Sequence, residues 1–402
     1  MFFLTSGAGR LHAIDYQKGH IMSGAPASRA PSAKSLKIDA IRFMAALWVM
    51  LYHFGPPPFK AFFPAPLAGV GGALWSGSVL LFAGPAAVIV FFVISGYCIH
   101  NAYHRDATLR PINYFASRYV RIGLPLLVVA ALCQPLGNAG NLLESVLWSL
   151  YCEIVYYTIY PLLRSRFRYV GEMIVGVALA AAAMVWYRHT HTQLVCAHCV
   201  YENYGVAGTA FLYLPGWLLG CLVAEMHRTA LDGRSSYRAS ALTAGIARGL
   251  AVVSGGLAKH LAAARVAIVA AGSLTFVLAS TSHIKPAFLP FIGPDITLPV
   301  FQFVVAGWIA AETATQGRSA FWRYAGALGA WSYSLYLCHK LALAILGATG
   351  YPQGQTLAWL ATVAVALATS YAFYCAVERP SHRLAHRLRK FVAKVPTRPA
   401  VD

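Results

Sequence analysis

The stretch IDAIRFMAALWVMLYHF, residues 38–54, reads as a helix that crosses a membrane while carrying two ionisable side chains inside it. The hydrocarbon core of a bilayer takes about 20 mainly apolar residues, and between Arg42 and His53 the chain reads FMAALWVMLY without a charge. Arg42 and His53 are eleven residues apart. That is close to three turns at about 3.6 residues each, so both side chains point the same way, about 16 Å apart along the axis. Ionisable groups in a span are costly and usually face a polar interior. The competing reading for Arg42 is snorkelling to the interface, paired with Asp39 one turn earlier. For His53 it is a satisfied interfacial histidine.

The rest of the chain has the same character. Of 402 residues, 58% are hydrophobic and 11% charged, whereas a soluble domain carries about a quarter charged residues. So few charges cannot cover a water-soluble protein of this size, and lipid must cover part of it. Ten segments are candidate spans, at about 38–55, 78–102, 122–137, 146–163, 170–187, 208–226, 264–282, 296–313, 325–348 and 356–377. The expected fold is all-α: a polytopic integral membrane bundle of about ten transmembrane helices. The seventh span competes with Ala239–Leu257, which is also fairly apolar. No internal repeat is visible, which argues against transporters built on repeat symmetry.

The formal charge is +19, from 32 Lys and Arg against 13 Asp and Glu. Ten spans put both termini on one side. With that side cytoplasmic, the outward segments hold Lys60, Arg188 and Lys285, while Arg42 and Lys340 fall inside spans. This is the basic bias of cytoplasmic loops, and it explains the charge without nucleic acid. The expected location is the cell (inner) membrane, multi-pass, with both termini cytoplasmic. Residues 1–36, rich in Ser, Ala, Gly and Pro, read as a disordered cytoplasmic segment without a cleavable signal peptide. Residues 37–378 form the membrane domain. Residues 379–402 form a basic cytoplasmic tail, whose amphipathic spacing over Arg379–Lys394 suits the anionic inner leaflet.

Further constellations follow the first helix. FFVISG at 91–96 places Ser95 and Gly96 as a small surface for a backbone or a ligand. In SRYVRI, Arg118 and Arg121 share a helix face just before a span, where two guanidiniums can hold phosphates bidentately; positive-inside bias is the alternative. WSLYCE at 148–153 holds Trp148, Ser149 and Glu153, and a carboxyl at membrane depth needs a partner or a proton. Ser332, Tyr336 and His339 fall on one helix face, with Lys340 beside them. The outward segment with His189, His191, Cys196, His198 and Cys199 contains zinc's usual ligand types, but no recognised spacing; a disulfide or free thiols fit better, and no metal site is expected.

Taken in order, these motifs resemble the acyltransferase-3 family of bacterial membrane O-acyltransferases. The resemblance runs from Ile38 to about Arg389. It is carried by the arginine and histidine of IDAIRFMAALWVMLYHF, FFVISG, RYVR at 118–121, WSLYCE, WSYSLYLCH at 331–339 and VERP at 377–380. Ala40 and Phe43 stand where the family often has Gly, and Lys340 where it often has Pro or an aliphatic residue.

The resemblance implies transfer of an acyl group, usually acetyl, from cytoplasmic acyl-coenzyme A to a hydroxyl of a carbohydrate or related acceptor. Acyl-CoA (acetyl-CoA) is then a co-substrate, with no tightly bound cofactor. The implied partners are the lipid bilayer, acyl-CoA and a carbohydrate or glycolipid. In this expectation His53 is the general base, and Arg42 orients the donor or stabilises charge on the thioester oxygen. Arg118 and Arg121, with Ser95 and Gly96, bind the donor. Trp148, Ser149, Glu153, Ser332, Tyr336 and His339 position or support the acceptor. The competing class is a transporter or flippase of a glycolipid or polysaccharide, without chemistry.

Overall fold

The computed structural model describes residues 33–59, 63, 65–103, 109–136, 139–195, 199–232, 239–280, 293–315, 319–348 and 356–394, and every regular element among them is helical. The expected disordered segment therefore lies outside the described residues up to residue 32, as does the end of the tail from 395. In chain order the helices are α1 (Ala33–Phe54), α2 (Ala68–Leu81), α3 (Gly84–Ala102), α4 (Pro111–Cys133), α5 (Ala139–Ser165), α6 (Val170–His191) and α7 (Val200–Asp232). They continue with α8 (Ala241–Lys259), α9 (Leu261–Ser280), α10 (Pro294–Ala314), α11 (Ala320–Leu328), α12 (Ser332–Ala348), α13 (Thr356–Phe373) and α14 (Arg379–Lys394).

Local chemistry explains several boundaries. Proline opens α3, α4 and α10 within the first two positions, where its fixed φ suits a helix start and its missing N–H costs nothing. Ser240 caps α8 by accepting from the Thr243 N–H at 3.1 Å. α1 stops where Gly55 takes φ 71°, a left-handed backbone that favours glycine. The Trp359 indole N–H secures that turn by donating to the Gly55 carbonyl at 3.1 Å.

Several helices outrun the apolar windows that mark them. α4 begins at Pro111 rather than near 122, so Arg118 and Arg121 lie inside the helix, not before it. The expected span 325–348 is two helices, α11 and α12, joined by a tight turn over Gly329–Trp331.

Nine stretches among the described residues are long and apolar enough to cross a membrane, α8 among them. Contacts at the start of α8 and at the start of α9, which follows it directly, place both ends of α8 at one end of the bundle. At its start, the Gly171 N–H at the head of α6 donates to Thr243 Oγ1 at 2.9 Å. Just past its end, Arg265 donates twice to Glu312 near the foot of α10, at 2.7 and 3.1 Å. α6 and α10 run antiparallel, tied at their other ends by His189 and Asp295 at 2.6 Å. The head of α6 and the foot of α10 therefore lie at the same end of the bundle, and so do both ends of α8. Eight of the nine stretches remain. α1, too charged to be counted with them, and α12, 17 residues long, bring the crossings among the described residues to ten.

The bundle has an arginine end and a histidine end, named for the two ends of α1. At the arginine end Lys37 pairs with the fully buried Glu312 at 2.9 Å. α14 lies at this end too, packed on α4: Ser381 Oγ donates to the Val120 carbonyl at 2.7 Å. The tail helix is thus partly built into the bundle rather than only resting on lipid. In the core, α3 and α7 meet backbone to backbone. A Cβ on Gly96 would collide with the Trp217 carbonyl, and one on Gly220 with the Val93 carbonyl. Glycine at both positions allows this close approach.

Candidate active site

α1, α3, α4, α5, α12 and α14 enclose a cavity of about 320 Å³ towards the arginine end. Arg42, Arg118 and Arg121 line it, together with the carboxylates of Asp39, Glu153 and Glu378. Its apolar wall is the face of α3 that includes Val88, Phe91 and Phe92, and its other end is closed by Ser149 and Tyr336.

The carboxylates do not consume all the guanidinium donors. Asp39 stands 3.7 Å from Arg42, one turn away on α1. Glu378, buried in a π-helical turn over Tyr374–Glu378, accepts from the Ser334 N–H at 3.0 Å and from the Ser334 hydroxyl. Glu153 accepts from the Tyr157 hydroxyl at 2.7 Å. Because Tyr157 spends its one proton there, Ser95 Oγ must donate to Tyr157 Oη at 2.9 Å. Ser95 in turn accepts from the Trp217 indole at 3.3 Å. A directed chain of hydrogen bonds therefore ends on Glu153.

Arg121 Nε donates to His382 Nε2 at 3.0 Å, which leaves His382 neutral with its proton on Nδ1. The Arg118 guanidinium lies 5.2 Å from the centre of the Tyr103 ring. Its Nε–H is buried without a hydrogen-bond partner among the described residues. Buried donors are nearly always satisfied, so this one suits a ligand that accepts.

At the histidine end, His53 and His339 face each other across 2.9 Å, Nδ1 to Nε2. Their rings stack with centroids 4.9 Å apart. Tyr336, one turn before His339 on α12, packs edge-on against it and bonds Ser149 Oγ at 2.6 Å. The cavity thus ends three helix residues, about 4.5 Å of rise, from the histidine pair.

Of the residues singled out in the sequence, Arg42, Ser95, Arg118, Arg121, Ser149, Glu153 and Tyr336 come together around the cavity. His53 and His339 come together beyond it. Gly96 faces α7 instead. Trp148 packs on Phe92 and Tyr213, and Ser332 Oγ donates to the Gly329 carbonyl at 2.9 Å. Among the polar and titratable lining residues, Asp39, Cys98, Tyr157, Tyr333, Glu378 and His382 are new to the site. The four-residue spacing of Glu378 and His382, which allows one helix face, is a signal the sequence reading passed over.

The described residues of the Cys/His-rich segment make no comparable centre. His189 is paired with Asp295, Cys199 is disulfide-bonded, and Cys196 and His198 lie outside the described residues. No group suited to a metal ion occurs among the described residues.

The acyltransferase-3 family model, described as an acyltransferase domain, matches residues 35–375. No curated protein and no solved structure matches the chain. The matched region runs from α1 into the π-helical turn and takes in the histidine pair and all of the cavity lining except Glu378 and His382. The chain belongs to the acyltransferase-3 family and is a multi-pass membrane acyltransferase.

Proposed function

We propose that the protein transfers an acyl group, in the first instance acetyl, from acyl-coenzyme A to a hydroxyl of a carbohydrate or related cell-surface acceptor. The donor enters at the arginine end and the acceptor at the histidine end. The observation that carries this reading is Arg118. Its Nε–H is a buried donor without a partner among the described residues, on the wall of a cavity shared with two more guanidiniums. Coenzyme A is polyanionic, and guanidiniums hold phosphate through paired charge-assisted bonds.

The cavity is at the small end of the usual ligand range of about 300–1,000 Å³. It suits the thioester and its arm, with the nucleotide held at the mouth by Arg118 and Arg121. Arg42 then lies along the arm, placed to orient the donor or to stabilise charge on the carbonyl oxygen. His53 takes the acceptor's proton; imidazole suits this because it titrates near working pH. Ser149 and Tyr336 sit where donor and acceptor meet.

Under this reading the arginine end is cytoplasmic and the membrane is the cell (inner) membrane. The basic residues support that orientation: Arg110, Arg164, Arg166, Arg168, Arg228 and Lys259 flank helix termini at that end, as the positive-inside rule requires. Residues 37–378 are then the catalytic domain and 379–402 a cytoplasmic tail. The test is to incubate isolated membranes with labelled acetyl-coenzyme A and assay the carbohydrate fraction. Ester-linked label that depends on the protein supports the reading. Label confined to other acceptors redirects it.

A further inference from the structure

The histidine pair has a defined direction, which follows from a second hydrogen bond made by His339. His339 Nδ1 lies 3.2 Å from the carbonyl oxygen of Leu335, one turn back on α12. A carbonyl can only accept, so Nδ1 of His339 carries a proton. In the neutral imidazole its Nε2 is then an acceptor. That nitrogen meets His53 Nδ1 at 2.9 Å, so His53 must be the donor and hold its own proton on Nδ1. The lone pair of His53 is then left on Nε2.

We infer that His339 is the positioning residue that fixes the tautomer and ring orientation of His53, leaving His53 Nε2 as the base. The inference rests on the acyl-transfer reading above and gives His339, placed among acceptor-supporting residues by sequence, a different task. The logic is that of any imidazole base whose second nitrogen is tied to an orienting partner. Here the partner is a neutral imidazole, itself anchored by helix backbone. Burial supports the assignment: His339 is fully buried, so its ring is held by packing, whereas His53 is only partly buried and open to an acceptor. His53 also lies in the last turn of α1, where unpaired carbonyls favour a cation.

The step balances within these groups. The acceptor hydroxyl gives its proton to His53 Nε2 as its oxygen bonds to the thioester carbonyl carbon. The tetrahedral adduct collapses, the carbon–sulfur bond breaks, and the departing thiolate takes the proton back from His53. Throughout, His53 Nδ1–H stays bonded to His339 Nε2. With the opposite tautomer, His53 Nε2 carries a proton and cannot accept one.

Replacements that differ in reach test the inference. The Oε1 atom of Gln overlays a histidine Nε2 and can accept from His53, whereas Asn reaches only the Nδ1 position. We expect His339→Leu and His339→Asn to lower kcat about 10- to 100-fold, the usual cost of losing an orienting partner, with KM for acetyl-coenzyme A unchanged. His339→Gln should recover most of kcat. Each variant is compared at equal amounts of monodisperse, detergent-extracted protein, so a folding defect reads as lost protein rather than lost turnover. If His339→Asn equals or exceeds His339→Gln, or if His339→Leu keeps wild-type turnover while His53→Ala is inactive, the tautomer assignment is overturned and the acyl-transfer reading stands. If His53→Ala itself keeps full turnover, the underlying reading fails.

Discussion

Arg121 and His382 meet across 261 positions of sequence, guanidinium Nε donating to imidazole Nε2 at 3.0 Å. The bond joins the third turn of α4 to the first turn of the tail helix. It makes α14 a wall of the cavity and holds one of its three arginines in place. Replacing His382 with Leu frees the Arg121 side chain without removing its charge. We expect KM for acetyl-coenzyme A to rise about tenfold, equivalent to about 1.4 kcal/mol, with kcat little changed. Steady-state kinetics over a donor concentration series measure both.

Arg118 should be more sensitive. Charge-assisted hydrogen bonds contribute about 1.5–3 kcal/mol, so Arg118→Ala is expected to raise KM for the donor about 10- to 100-fold. Lysine keeps the charge but loses the planar fork, so Arg118→Lys should recover little. An unchanged half-saturating donor concentration in both variants would remove Arg118 from the donor site.

The pair Gly96 and Gly220 gives a prediction of the opposite kind. A Cβ at Gly96 would overlap the Trp217 carbonyl, and backbone on both sides leaves nothing free to move aside. Gly96→Ala should therefore lower the amount of assembled protein, seen as loss of the monodisperse peak after extraction. The protein that does assemble should keep a normal KM for the donor. A raised KM with normal yield would mark Gly96 as a donor-binding position instead.

Stability at the arginine end depends on Glu312. It is completely buried and answers both Lys37 and Arg265. Removing one partner of a buried ionic group leaves charge uncompensated, at a cost of about 3–5 kcal/mol. Glu312→Leu should lower the temperature at which the extracted protein aggregates. The double variant Lys37→Met with Glu312→Leu removes the closest pair together and should recover part of the loss.

How far the sequence reveals this arrangement depends on the kind of information each feature needs. α1 is legible because its charges interrupt an apolar run at a spacing that a single helix can interpret. The same holds for Ser149 and Glu153, and for Tyr336 and His339. α8 is not legible, since its apolar composition resembles a span, and only the contact of its start with Gly171 and the pairing of Arg265, early in α9, with Glu312 reveal that both ends share one end of the bundle. The role of α14 is hidden for a related reason. His382 sits in a run of arginines that reads as a membrane-surface helix, and nothing local indicates that it contacts Arg121. The direction of the His53–His339 bond needs the Leu335 carbonyl, a backbone atom whose availability no residue type encodes.

In the proposed acyl transfer His53 is the base. The most direct measurement is the turnover of labelled acetyl-coenzyme A by wild-type and His53→Ala protein in isolated membranes, at saturating donor and matched protein amounts. A general base contributes about 10²–10⁴-fold. The account predicts that His53→Ala loses at least about 100-fold in transfer while remaining inserted in the membrane and retaining the wild-type KM for the donor. Transfer within a fewfold of wild type by a fully inserted His53→Ala protein would contradict it.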